Sequence, residues 1–187
     1  MTNLIFMKKN FAILMSVIAT TVILNSCETV KDLNTVDFDA TFSGNLDCTT
    51  AGGGKSTLDN PVFGGSVEIV PTEDPNVNLY LNNIQKYEIE SVKATIMSMS
   101  QENVTIISAD LNIHNFQYDA IWSFENELLT TGKTIAFGNE NGQWDTVSSI
   151  LKDGQEFTII LTGEADFTAV TFTVKVEIET KVEANVL

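Results

Sequence analysis

The stretch "VTFTVKVEIETKVE", residues 170–183, carries the cleanest pattern in the chain. Its even positions read Val170, Phe172, Val174, Val176, Ile178, Thr180 and Val182; the odd ones read Thr171, Thr173, Lys175, Glu177, Glu179, Lys181 and Glu183. A period of two puts one set on each face of a strand, so one face is apolar and the other wet. An antiparallel sheet with one side on a core and one side in water needs this division. The segment exceeds the usual strand length of roughly 3–10 residues, so a bend, a bulge or a change of partner along its course is expected.

The same period recurs upstream. In "VDFDATFSGNLDC" (36–48), Val36, Phe38, Ala40, Phe42, Leu46 and Cys48 face one way, with Gly44 marking a bulge or a close approach. Strands are also expected in "SVEIVP" (66–71), "KYEIESVKATIMSMS" (86–100), "VTIISADLNIHNF" (104–116), "AIWSF" (120–124), Ile135–Phe137 and "EFTIILTG" (156–163). In the second of these, Tyr87, Ile89, Val92, Ala94 and Ile96 are the apolar set; in the third, Thr105, Ile107, Ala109, Leu111 and Ile113 share a face. Two short helices break the series. One follows Asp74 as N-cap with Pro75 in its first turn; the other, "TVSSILK" (146–152), is capped by Asp145 and stopped by Gly154. About seven to nine strands and two short helices predict an all-β, antiparallel, immunoglobulin-like β-sandwich.

The N-terminus reads differently. Lys8 and Lys9 precede the uncharged run "FAILMSVIATTVIL" (11–24). As a helix it would reach only ~21 Å against a hydrocarbon core of ~30 Å, which fits the apolar region of an export signal better than a membrane span. "LNSC" then places Leu24 three residues before Cys27, with small Ser26 beside it. This resembles the lipobox of bacterial lipoproteins, whose cysteine is lipidated and becomes the first mature residue. The expected organisation is a cleaved signal peptide over 1–26, a lipidated tether over 27–35 and a β-sandwich domain over 36–187. Acyl chains contribute ~0.8 kcal/mol per buried methylene, so Cys27 would hold the protein on a membrane.

Formal charge is −15, and loss of Lys8 and Lys9 with no acid takes the mature chain to −17. There is no arginine. A nucleic-acid binder needs cations along its phosphate track, so that class is excluded. With Cys27 lipidated, Cys48 is the one remaining thiol; no internal disulfide can form, and Cys48 falls on the apolar side of its strand as a small hydrophobe.

Sites are scarce. "AGGGKST" (51–57) suggests a phosphate loop, but the required first glycine falls on Thr49 and Pro61 follows instead of a helix. "NENGQWD" (139–145) fails as a calcium loop because its first position would be Phe137. His114, the sole histidine, is out of phase with Leu111 and Ile113 and reads as solvated. The acid pairs Asp37/Asp39, Glu88/Glu90 and Glu177/Glu179 each share a wet strand face. No catalytic residue, metal site or cofactor is expected. Trp122 and Trp144 are candidates for stacking on a sugar, although each also has core spacing.

The lipobox cysteine, "DPNVNLYLNNIQKYEIESVKATI" (74–96), "ILTGEADFTAVTFTVKVEIE" (160–179) and "VEANVL" (182–187) together resemble a group of small, uncharacterised β-sandwich lipoproteins of Bacteroidetes-type bacteria. The resemblance implies an address and a fold but no activity. "DTV" (145–147) is similar to an O-glycosylation motif of such bacteria, with Thr146 as acceptor. The expected protein is a non-enzymatic, acidic, lipid-anchored outer-membrane module that binds a glycan or an envelope protein, on the periplasmic or the cell-surface face. The alternatives are a carboxylate- or metal-dependent hydrolase and a structural subunit of an envelope or appendage assembly.

Overall fold

A computed structural model describes residues 34–50 and 60–186. The expected signal peptide, Cys27 and the glycine-rich segment 51–57 lie outside these residues. By its contacts the chain divides into a unit of Asp37–Ala184 and a second unit of residues 1–36 and 185–187. In the described part of the second unit, Val186 N–H donates to the Asn34 carbonyl at 2.7 Å.

Eight strands form: β1 (Thr35–Thr49), β2 (Val62–Ile69), β3 (Ile84–Met99), β4 (Val104–His114), β5 (Asp119–Leu129), β6 (Thr134–Phe137), β7 (Phe157–Ala165) and β8 (Thr171–Asn185). They make two four-stranded sheets, ordered β1-β8-β3-β6 (sheet A) and β2-β7-β4-β5 (sheet B). The all-β sandwich expected from the alternation is what forms. Its connectivity differs from the immunoglobulin-like one. Strands pair 1 with 8, 2 with 7, 3 with 6 and 4 with 5, and successive pairs alternate between the sheets. That nesting is a long two-stranded ribbon wound over itself, the double Greek key of a jelly roll. Alternation says which face a residue takes but not which strand lies beside it, so the sequence pattern fits both arrangements.

In β8 every even residue from Phe172 to Ala184 is buried, without interruption. The irregularity expected in this long strand lies in its partner. The β3–β8 register slips at Ile84/Lys86, Ile89/Ser91 and Ile96/Ser98, leaving one extra β3 residue at each slip. The second slip explains the phase change between Ile89 and Val92: an extra residue on one strand turns the next side chains over. β4 does the same. Its register against β7 slips between Ile106 and Ser108, so Val104 and Ile106 are buried on one side of the slip and Ala109, Leu111 and Ile113 on the other. Thr105 and Ile107 therefore do not share the core face of Ala109, which corrects the single-phase reading of that strand.

β2 begins at Val62, earlier than expected, and takes in Gly64 and Gly65, because pairing with β7 from Glu164 to Phe157 supplies their hydrogen bonds. The helices are α1 (Pro75–Tyr80) and α2 (Gln143–Asp153). Asp74 caps α1 as expected, accepting from Asn76 N at 2.8 Å and Val77 N at 3.1 Å. α2 starts before its expected cap. Gly142 takes the N-cap position at φ 78°, Asn139 Oδ1 receives Trp144 N–H at 2.8 Å, and Asp145 falls in the first turn. Gly154 stops the helix at φ 68°, a left-handed position that glycine occupies without a Cβ penalty.

Cys48 is buried, and burial followed by the neighbouring Asp47 carboxylate pushes its thiol up to about 12. Gly163 sits opposite Ala109, beside the β4 slip. A Cβ there would stand 2.7 Å from both Ala109 Cβ and Phe63 Cζ and would press on the Ser108 carbonyl. Gly163→Ala is expected to cost about 1–3 kcal/mol by overpacking. Gly64→Ala, whose Cβ would meet Thr162 Cγ2 at 3.5 Å, should stay within about 0.5 kcal/mol of the parent. Urea denaturation of the two variants checks the contrast.

Candidate functional site

The sandwich has two outward faces of different character. On sheet A, lysines and carboxylates answer one another. Lys93 Nζ meets Glu179 at 2.7 Å, Lys175 meets Glu177 at 2.6 Å, Lys86 meets Glu88 at 2.9 Å, and Lys181 stands 3.8 Å from Asp37. Glu179 also accepts from Ser91 Oγ; the Lys93 bond first and the Ser91 bond second hold its carboxyl below the ordinary glutamate range. Such exposed pairs are screened by water and add little to stability. Of the acid pairs noted in the sequence, Glu177 and Glu179 are both ion-paired, whereas of the other two pairs only Asp37 and Glu88 meet a lysine among the described residues.

The lower end of sheet B, where β4 turns into β5, is built otherwise. His114 stands in register between Asp119 of β5 and Thr158 of β7, and Thr158 between His114 and Glu68 of β2. The β4–β5 turn, residues 115–118, is pinned by one side chain. Asn115 Oδ1 accepts from Gln117 N at 2.9 Å and Tyr118 N at 2.8 Å, while Asn115 N–H donates to the Tyr118 carbonyl at 3.0 Å. Asn115 Nδ2 donates to Asp153 Oδ2 at 3.2 Å, which fastens the turn to the end of α2. On this turn Phe116 is 100% exposed and Tyr118 partly so. An apolar ring is normally covered, and here the backbone beneath it is held in one place by hydrogen bonds.

Phe116 and Gln117 border an open cleft of about 710 Å³ that also meets His114, Glu68, Asp153 and Glu156. Glu68 and Glu156 face each other. The hydrogen bond that the protonated Glu68 carboxyl donates to Glu156, then the repulsion of the Glu156 charge, then burial raise the Glu68 carboxyl above the ordinary range. The cleft can donate and accept hydrogen bonds and offers an aromatic face. Among the described residues no group of three or more His, Cys, Asp or Glu side chains is arranged to hold a metal ion.

The stacking candidates read from sequence lie elsewhere. Trp122 is 5% exposed, tilts against Phe137 with ring centroids 5.8 Å apart, and donates its indole N–H to the Gly138 carbonyl at 2.7 Å. It belongs to the core and presents no face to a ligand. Trp144 is half-buried and donates to the Phe137 carbonyl at 3.2 Å. Thr146 lies in the first turn of α2, half-buried, with its hydroxyl donating to the Gly142 carbonyl at 3.3 Å. The strand pattern hid Phe116, because "NIHNF" continues the run of β4. The signal that could have found it is Asn115, a turn-forming residue, followed by polar Gln117.

No family model matches the chain, and no curated protein matches it. Among solved structures, the decameric BFDV capsid protein is similar, with TM-score 0.47 and 7% identity over 79% of this chain and 99% of that one. The mud crab tombus-like virus structure has TM-score 0.38 and 8% identity over 81% of each chain. The turnip yellow mosaic virus structure has TM-score 0.35 and 13% identity over 81% of this chain and 96% of that one. These are likenesses of β architecture alone.

Because the Glu68 carboxyl is raised, its folded form holds a proton more tightly than the unfolded chain does. The pair therefore favours folding below the unfolded glutamate value of about 4.3 and loses that contribution as pH rises through the folded value. Carbon-13 NMR should find Glu68 titrating above the usual glutamate range, and Glu156→Gln should bring it back down.

Proposed function

We propose that the protein is a lipid-anchored, non-catalytic binding module of a bacterial cell envelope, taking its ligand at the cleft beside Phe116. The observation that carries this reading is the fully exposed aromatic ring on a hydrogen-bonded turn. Holding an apolar ring in water is unfavourable, and a ligand that covers it recovers that free energy at little ordering cost.

The cleft's chemistry favours a neutral glycan over other occupants. The Phe116 ring offers a flat surface to the C–H face of a sugar, while Gln117, Gln155 and the carboxylates offer acceptors and donors to its hydroxyls. Carboxylates without a lysine among the cleft's residues would repel sulfated or uronate sugars. Cys27 in its lipobox supports the anchor, and the charge of −17 fits a domain kept soluble above a membrane. The placement in the outer membrane rests on the same cysteine.

Two variants test the halves separately. Phe116→Ala should weaken binding on an array of neutral glycans by about tenfold or more, as loss of an aromatic anchor does, with its thermal midpoint unchanged. Equal binding by parent and variant would contradict the site. Cys27→Ser should release the protein from the detergent-soluble envelope fraction, and its retention there would contradict the anchor.

A further inference from the structure

The outer face of sheet B forms rows across its four strands, set by register. The middle row reads Ser66, Ile160, Asn112, Ile121 from β2 to β5. Ile121 is 45% exposed, Ile160 is half-buried, and Asn112 between them has a side-chain carbonyl oxygen shielded from water with no hydrogen-bond partner. The row above, Gly64, Thr162, Asp110, Ser123, is followed by Val62, Glu164, Ser108, Glu125. The row below is Glu68, Thr158, His114, Asp119. Two isoleucines thus flank Asn112 in the middle row, with carboxylates in the rows on both sides.

No lysine stands on these rows, whereas Lys86, Lys93, Lys175 and Lys181 are all paired with acids on the opposite face. The lysines of the described residues are unevenly dealt. Five carboxylates on sheet B, Glu68, Asp110, Asp119, Glu125 and Glu164, therefore have no lysine beside them on the face among the described residues. An acidic face repels a second copy of itself and an anionic bilayer alike, so the complementary occupant is cationic.

We propose that this face docks a basic amphipathic helix of a partner protein, its apolar stripe along Ile121–Asn112–Ile160 and its lysines or arginines over the acidic rows. The dimensions agree. Four strands at ~4.8 Å span ~14 Å, about the length of a ten-residue helix at ~1.5 Å per residue. The acidic rows begin one side-chain repeat, ~7 Å, from the middle row, within reach of a lysine stem beside the helix axis. The face is separate from the Phe116 ring, although its lowest row borders the cleft.

The test uses the lipid-free full domain carrying Cys27→Ser and two synthetic 14-residue helices, one of leucine and lysine with a single leucine stripe, the other with glutamate replacing lysine. The lysine helix should bind, weaken steeply between low and moderate salt, and lose about tenfold or more in affinity with Ile121→Lys. Asp110→Asn with Glu125→Gln should also weaken it, while Glu177→Gln on sheet A should not. Phe116→Ala should leave it unchanged, which separates this surface from the glycan site. Equal binding of both helices, no loss with Ile121→Lys, or self-association of the domain abolished by Ile121→Lys would each overturn the proposal.

Discussion

β8 has neighbours on both sides, β1 and β3, and every second side chain along it points into the space between the sheets. A strand in that position cannot slip. Moving it by one residue would carry Phe172, Val174, Val176, Ile178 and Val182 into water and bring Lys175, Glu177 and Glu179 into the core. Each buried aliphatic side chain is worth roughly 1.5–3 kcal/mol relative to exposure, so the alternative register is out of reach. The mismatch in length has to be absorbed by neighbours with less at stake. β3 takes it up in three slips, and β4 in one against β7. The single polar residue in the β8 core face, Thr180, keeps its hydroxyl buried without a partner, a local cost that the surrounding apolar contacts outweigh.

This constraint also arranges the surfaces. Because the even residues of β8 must go inward, its lysines and glutamates must all go outward on sheet A, where they meet the charges of β3 and β1. The outward side of sheet B receives what β2, β4, β5 and β7 have left over: small hydroxyls, carboxylates and two isoleucines. Loop chemistry then adds the Phe116 turn at one end. A face that carries lysines among its carboxylates and one that carries carboxylates without lysine follow from a single pattern of burial.

What was legible in the chain is what has a period. The strands of Val36–Cys48, Lys86–Ser100 and Val170–Val182 show their faces directly, and Asp74-Pro75 shows a helix start. Even the slip at Glu90 was written in the phase change from Ile89 to Val92. Strand neighbours were not legible, because nothing in a two-residue period distinguishes a jelly roll from an immunoglobulin-like sandwich. The helix start at Gly142 was obscured by Asp145, which has the chemistry of a cap and sits three residues too late. Trp122 and Phe116 were exchanged in importance for a similar reason. A tryptophan draws attention as a ligand platform, yet its register against Leu111 buries it, whereas the phenylalanine follows an asparagine that ends the strand.

Native-state hydrogen exchange read residue by residue along β8 is the most direct measurement of its central role. The amides of Val174 to Ile178 are expected in the slowest class of the whole domain, opening only with global unfolding. Exchange of those amides ahead of the ones in β4 and β7 would contradict it.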